Sequence, residues 1–220
     1  MSDTDRIGLQ PLAMESTASL IAAQLRKLIG HGTLAAGGQL VEKDIADQLG
    51  VSRGPVREAM QRLAQEGLLV GVRNRGVFVA EFGDEDIRDV YEARTGVEKV
   101  ASALALSRGR ARAGDALLEC ARRMDGARLA GDHEAMTEAG FTFHETLVAL
   151  AASPRLSRMH ATLLTETRMC LNRLRGRYAD EAVRVDEHRA IAEAWCAGRR
   201  EDVLGLLEAH KEDALRRLIS

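Results

Sequence analysis

The chain has 220 residues and a formal net charge of −2, and 45% of its residues are hydrophobic while only 3% are aromatic. That length supports two small domains with separate cores, and so low an aromatic share beside abundant Ala, Leu and Arg argues against an all-β architecture and for packed helices. A near-neutral total neither marks nor excludes a nucleic-acid partner, because local clustering of cations decides that. No uninterrupted apolar run approaches the ~20 residues of a membrane span, so no membrane partner is expected. Cys120, Cys170 and Cys196 are far apart, form no C-x-x-C pair and are odd in number. They read as reduced, mostly buried thiols of a cytoplasmic protein.

Residues 1 to 14 lack periodicity and are expected to form a mobile arm. Ser16, Thr17 and Ser19 offer caps for a helix that turns Ile21, Leu25, Leu28 and Ile29 inward. Glu42-Lys43-Asp44-Ile45-Ala46-Asp47-Gln48-Leu49 is a short amphipathic helix, and Gly50 can supply the turn to the next one. That next helix starts after Ser52, a good N-cap, and carries Pro55 in its first turn, where no N–H is needed. Val56, Ala59, Met60 and Leu63 form its inward stripe, which leaves Arg53, Arg57 and Arg62 on outer surfaces. Arginines at a helix start suit guanine edges and phosphates. Leu68-Leu69-Val70 and Val77-Phe78-Val79 then flank Arg73-Asn74-Arg75-Gly76, a hairpin with cations and a glycine at its tip. From Ser16 to Ala80 there are eight Lys/Arg against five Asp/Glu.

These residues resemble the winged-helix signature of the GntR family of bacterial transcription regulators, Ser-Arg-x-Pro-Val-Arg-Glu-Ala followed by Leu-x-x-Glu-Gly-Leu. Here the stretch reads SRGPVREAMQRLAQEGLL. Members use the module to bind double-stranded operator DNA as dimers, so the resemblance implies DNA contacts from Lys43, Ser52, Arg53, Gly54, Arg57, Arg75 and Gly76 and a homodimer. Gly54 stands where the family usually has Thr, which removes one hydroxyl contact to DNA. The resemblance assigns residues 15–82 to a winged helix-turn-helix domain.

The β pattern ends at Glu81-Phe82-Gly83, and acidic residues from Asp84 open a new helix. Residues 84–220 are expected to be all-helical, in six segments near 84–107, 111–130, 132–151, 154–175, 180–197 and 199–218, punctuated by Gly109, Gly131, Pro154, Gly176 and Gly198. The expected fold is therefore mainly α, a winged helix-turn-helix followed by a helical bundle. His144 lies on the stripe of Met136, Gly140, Phe143 and Leu147; His188 lies with Val185, Ile191, Ala192 and Trp195; His210 lies with Val203, Leu207 and Ala214. A lone histidine on an apolar face is usually a hydrogen-bonded core residue. Three on three helices are a standard way to hold a divalent transition metal, zinc or nickel first among them.

The second half is also similar to the FCD ligand-binding domain of the FadR branch of GntR regulators, through Phe143-His144 with Leu147, Glu187-His188 with Ile191, and His210. Many members bind a metal through an Asp and these three His. That Asp is Gly140 here, four residues before His144. Six helices rather than seven point toward the VanR-like subgroup. Two arrangements stay open: water or an effector carboxylate takes the place of the missing ligand, or the histidines are structural. Arg94 sits on the inward stripe of Ile87, Val90, Val97, Ala101 and Leu104, and is either a fork for the carboxylate of a small anionic metabolite or the partner of Glu98. Arg168 is a second candidate on the same logic. The reading is an effector-responsive operator-binding repressor, not an enzyme. A metal-dependent hydrolase is disfavoured, because nothing near the histidines reads as a general base and a recognition helix has no role there. A regulator whose helical half only dimerises is the remaining alternative.

Overall fold

The computed structural model describes residues 16–171 and 181–219. The expected N-terminal arm and the expected break at Gly176 lie outside the described residues. The chain divides into two compact units, one with the described residues up to Ile29 and Gly37–Ala80, the other with Gly30–Ala36 and the chain from Glu81 onward.

In the first unit, helix α1 (Thr17–Gly30) starts where Ser16 Oγ accepts the Ser19 N–H at 3.2 Å. It buries Ala18, Ile21, Ala22, Leu25 and Ile29, while Leu28 is half-buried. Helix α2 (Glu42–Leu49) ends at Gly50, whose φ of 64° is the left-handed conformation that lets its N–H turn back to the Ala46 carbonyl. Helix α3 (Arg53–Gln65) starts three residues after Gly50, with Val56, Ala59, Met60 and Leu63 buried as the stripe requires. Ser52 does occupy the N-cap, yet its hydroxyl makes no capping hydrogen bond. Strands β2 (Leu69–Val72) and β3 (Gly76–Val79) form the expected hairpin. Sequence reasoning missed β1 (Gln39–Leu40), which pairs antiparallel with β3 and completes a sheet of order β1-β3-β2. Gly76 has a φ of 111°, and a Cβ there would lie 2.8 Å from Gln39 Nε2, the atom that donates to the Arg75 carbonyl. Glycine at the wing tip is thus favoured by the backbone, and a Cβ there would have to displace the Gln39 amide.

The second unit contains, among the described residues, helices α4 (Asp84–Ser107), α5 (Asp115–Leu129), α6 (His133–Ala149), α7 (Pro154–Leu171), α8 (Glu181–Cys196) and α9 (Arg200–Leu218). At the start of α4 the Gly83 N–H donates to the Asp86 carboxylate at 2.8 Å, and Asp132 caps α6 by accepting from the Ala135 N–H at 2.9 Å. One expected boundary shifts: residues Arg110–Gly114 form a 3-10 turn rather than the first turn of α5. The Trp195 indole N–H takes the Arg110 carbonyl at 3.3 Å, and a Cβ on Gly114 would lie 2.6 Å from the same indole. The core gathers Leu117 of α5, Phe143 and Leu147 of α6, Ile191 and Trp195 of α8, and Val203 and Leu207 of α9. Burial of these side chains is the main favourable term holding the helices together.

Candidate DNA-reading helix and histidine centre

The DNA-facing candidates Lys43, Ser52, Arg53, Gly54, Arg57, Arg75 and Gly76 are all exposed. Arg75 sits over the Phe78 ring, with its guanidinium carbon 5.7 Å from the ring centroid. Arg57 reaches across to α2, where its Nη2 donates to Glu42 Oε2 at 2.8 Å. The Arg57 fork holds the Glu42 carboxyl below its ordinary range, outweighing slight burial. Glu42 escaped the sequence reading because its role depends on a contact between helices.

In the second unit α6, α8 and α9 bring His144, His188 and His210 together, with one nitrogen from each ring within 4.8 Å of the others. All three are buried. Two of the rings are held by a hydrogen bond at Nδ1. His188 Nδ1 donates to the Arg184 carbonyl at 2.7 Å, His210 Nδ1 donates to Glu187 Oε2 at 2.7 Å, and His144 Nδ1 lies 3.0 Å from Glu98 Oε1. That last contact is short but poorly aligned for a hydrogen bond. The acceptors on the Nδ1 side of His188 and His210 place the lone pairs of those two rings on Nε2. The Nε2 atoms of His144 and His188 face each other at 3.3 Å, and the His144 and His210 rings stack with centroids 5.3 Å apart.

Burial pushes all three imidazoles below their ordinary range. For His188 the neighbouring His210 and His144 add to it, and for His210 the charges of His144 and Arg94 do; for His144, Glu98 opposes it. Neutral rings whose nitrogens converge, two of them anchored through Nδ1, suit a transition-metal ion, so the donor set fits the group that the FCD resemblance implies. Gly140 borders this centre: a Cβ there would lie 3.9 Å from His188 Nε2 and 3.4 Å from Met124 Cε. The space left by the missing carboxylate therefore abuts a thioether methyl.

Glu98 is the hub beneath the triad. It is 1% exposed and accepts from His160 Nε2 at 3.0 Å, besides its contact with His144. Burial works against its charge, but the neighbouring His144 and Arg94, with the hydrogen bond from His160, keep the carboxyl well below the usual range. Arg94 is 3% exposed, its Nε lies 3.3 Å from Glu98 Oε1, and its guanidinium carbon sits 4.7 Å from the Tyr91 ring centroid. The pair with Glu98 thus exists, and the same cation acts on His144 and His210. Arg94 Nε makes no hydrogen bond. Arg168 is engaged differently, forked onto Glu138 with its guanidinium carbon 3.7 Å from the Phe141 ring centroid. It makes no hydrogen bond or ion pair to the triad among the described residues. His160 was missed in the sequence, although its spacing with Leu164 and Thr167, both buried, is a helical stripe.

Residues 17–79 match the model for bacterial regulatory proteins of the gntR family, and residues 89–213 match the FCD domain. The chain is 35% identical over 131 residues, 58% of this chain and 77% of that protein, to an HTH-type transcriptional regulator in the TAR-I ttuE-ttuC' intergenic region of Agrobacterium vitis. It is 30% identical over 190 residues, 83% of this chain and 81% of that protein, to a probable D-xylose utilization operon transcriptional repressor of Paenarthrobacter nicotinovorans. Among solved structures, a GntR regulator from Rhodococcus sp. RHA1 superposes with a TM-score of 0.78 at 28% identity, covering 93% of this chain and 98% of that one. The relatives are transcription regulators rather than enzymes, and no helix among the described residues is long and apolar enough to cross a membrane. The chain belongs to the gntR family of bacterial regulatory proteins and is a DNA-binding transcription regulator with an FCD domain after its winged helix.

Proposed function

We propose that this regulator is a cytoplasmic, homodimeric repressor whose hold on a palindromic operator is set by a small carboxylate metabolite bound at a metal-loaded histidine centre. The convergence of anchored, neutral imidazoles in the core of the FCD domain carries the reading. His144, His188 and His210 hold the ion, zinc or nickel being the ordinary choices for imidazole ligands, and Glu98, Glu187 and the Arg184 carbonyl orient them. A bound ion supplies a Lewis-acidic position for an anion. Without the carboxylate at position 140 the loaded centre is more positive, which raises its pull on an acidic metabolite. Arg94, paired with Glu98 beside the triad, is the candidate cation for that metabolite's charge. The relative described as a probable repressor supports the sign of regulation.

In the DNA-binding unit, Arg53 and Arg57 read bases, Lys43 contacts a phosphate, and the wing with Arg75 and Gly76 tracks the backbone. A two-fold dimer matches two half-sites. Replacing Arg57→Ala is expected to weaken operator binding by about 1–3 kcal/mol per half-site, mainly through lost specificity. A gel shift at low salt checks it, and unchanged operator affinity refutes the assignment.

Elemental analysis of untagged protein purified without chelator should find ~1 metal per chain, and His188→Ala should abolish it together with the response to small carboxylates. A metal-free chain that rejects zinc and nickel at micromolar levels, yet still answers carboxylates, reduces the histidines to packing groups.

A further inference from the structure

Arg57 projects from the exposed side of α3, but it is not a loose cation. Its Nε lies 3.0 and 3.1 Å from the two Glu42 oxygens, and its Nη2 lies 2.8 Å from Oε2. Glu42 is the first residue of α2, so this fork ties together the two helices of the helix-turn-helix. As a source of stability an exposed ion pair contributes little, since Arg57 keeps 59% of its side-chain surface in water. Its geometry matters more. A guanidinium has five N–H donors in a rigid fork, and Glu42 takes the Nε edge, leaving the edge formed by the two terminal nitrogens for another bidentate acceptor. The O6 and N7 atoms of a guanine edge are such an acceptor.

We propose that Glu42 is a positioning residue for sequence discrimination, holding the Arg57 fork in one orientation for a base edge and withholding it from indiscriminate capture by phosphates. The proposal rests on the reading of Arg57 as a base reader. Two effects follow from the one contact. Pre-ordering a rotamer-rich side chain lowers the cost of making a directional base contact. A carboxylate beside the cation cancels much of its attraction for any phosphate, so binding to unrelated DNA is weakened more than binding to the operator.

The test uses the full chain, an operator selected by the wild type from a randomised duplex pool, and a random duplex as comparison. Glu42→Ala should bind the random duplex several-fold tighter at low salt, with a salt dependence steeper by about one ion, while the operator-to-random ratio falls about ten-fold. Glu42→Gln, which keeps the shape without the charge, should lie between. In an Arg57→Ala background, Glu42→Ala should leave the ratio and the salt slope unchanged. An equal loss on both duplexes overturns the role of Glu42. So does an effect that persists in full without Arg57, as it would if Glu42 itself accepted from a cytosine amino group. Arg57→Ala that discriminates as well as wild type overturns instead the reading of Arg57 on which the proposal rests.

Discussion

Glu98→Ala should lower the stability of the FCD domain by about 3–5 kcal/mol. The side chain is 1% exposed and faces His144, His160 and Arg94 from three helices, and Arg94, itself 3% exposed, has no other ion-pair partner among the described residues. Removing the carboxylate leaves a buried guanidinium uncompensated and takes the hydrogen-bond acceptor from the buried His160 ring. For a chain of this size the loss corresponds to a fall in midpoint of roughly 10 °C, which thermal unfolding followed by circular dichroism will resolve. Arg94→Met in the Glu98→Ala background should recover part of the loss, because the stranded cation is gone. A midpoint within a degree or two of wild type for Glu98→Ala would show that Arg94 and the histidines are satisfied without it.

Gly140→Asp carries the second large effect, with opposite signs in two conditions. The Cβ meets Met124 Cε at 3.4 Å and His188 Nε2 at 3.9 Å, ordinary contacts, so the backbone has no need to move. Without metal the new carboxylate is buried beside neutral imidazoles and should cost more than the ~1–3 kcal/mol of a neutral unsatisfied group. With zinc or nickel it adds an anionic ligand to three nitrogens, and the gain in affinity should exceed the ~10–100-fold that outer hydrogen-bonding partners of a metal site command. Competition against a chromogenic chelator measures the second effect and a melt in the presence of chelator the first. Zinc affinity unchanged from wild type would mean that position 140 does not face the ion.

Features governed by local chemistry were legible before the structure. The α2–turn–α3 boundaries follow from Gly50, Ser52 and Pro55, and the inward histidines follow from helical spacing alone. What escaped depends on partners distant in the chain. Strand β1 is two residues long and exists because β3 lies beside it, so no periodicity announces it. The 3-10 turn before α5 answers to Trp195, 85 residues later than Arg110. Glu98 could be read as a partner for Arg94 four residues away, but not as the acceptor for His160, 62 residues on. Met124 carried no signal in the sequence, since a methionine on an apolar stripe looks alike whether it fills a core or borders a ligand site.

The contact between Gly140 and Met124 also bears on how such a centre can change over generations. Every glycine codon is one second-base transition away from a codon for aspartate or glutamate, and the site admits a Cβ at ordinary contact distance. The genetic code does not separate the form of this centre with a carboxylate from the form without one, and the packing admits the first atom of the new side chain. A lineage could cross between them in a single mutational step, and what holds a population on either side is then the ion and the metabolite it must sense.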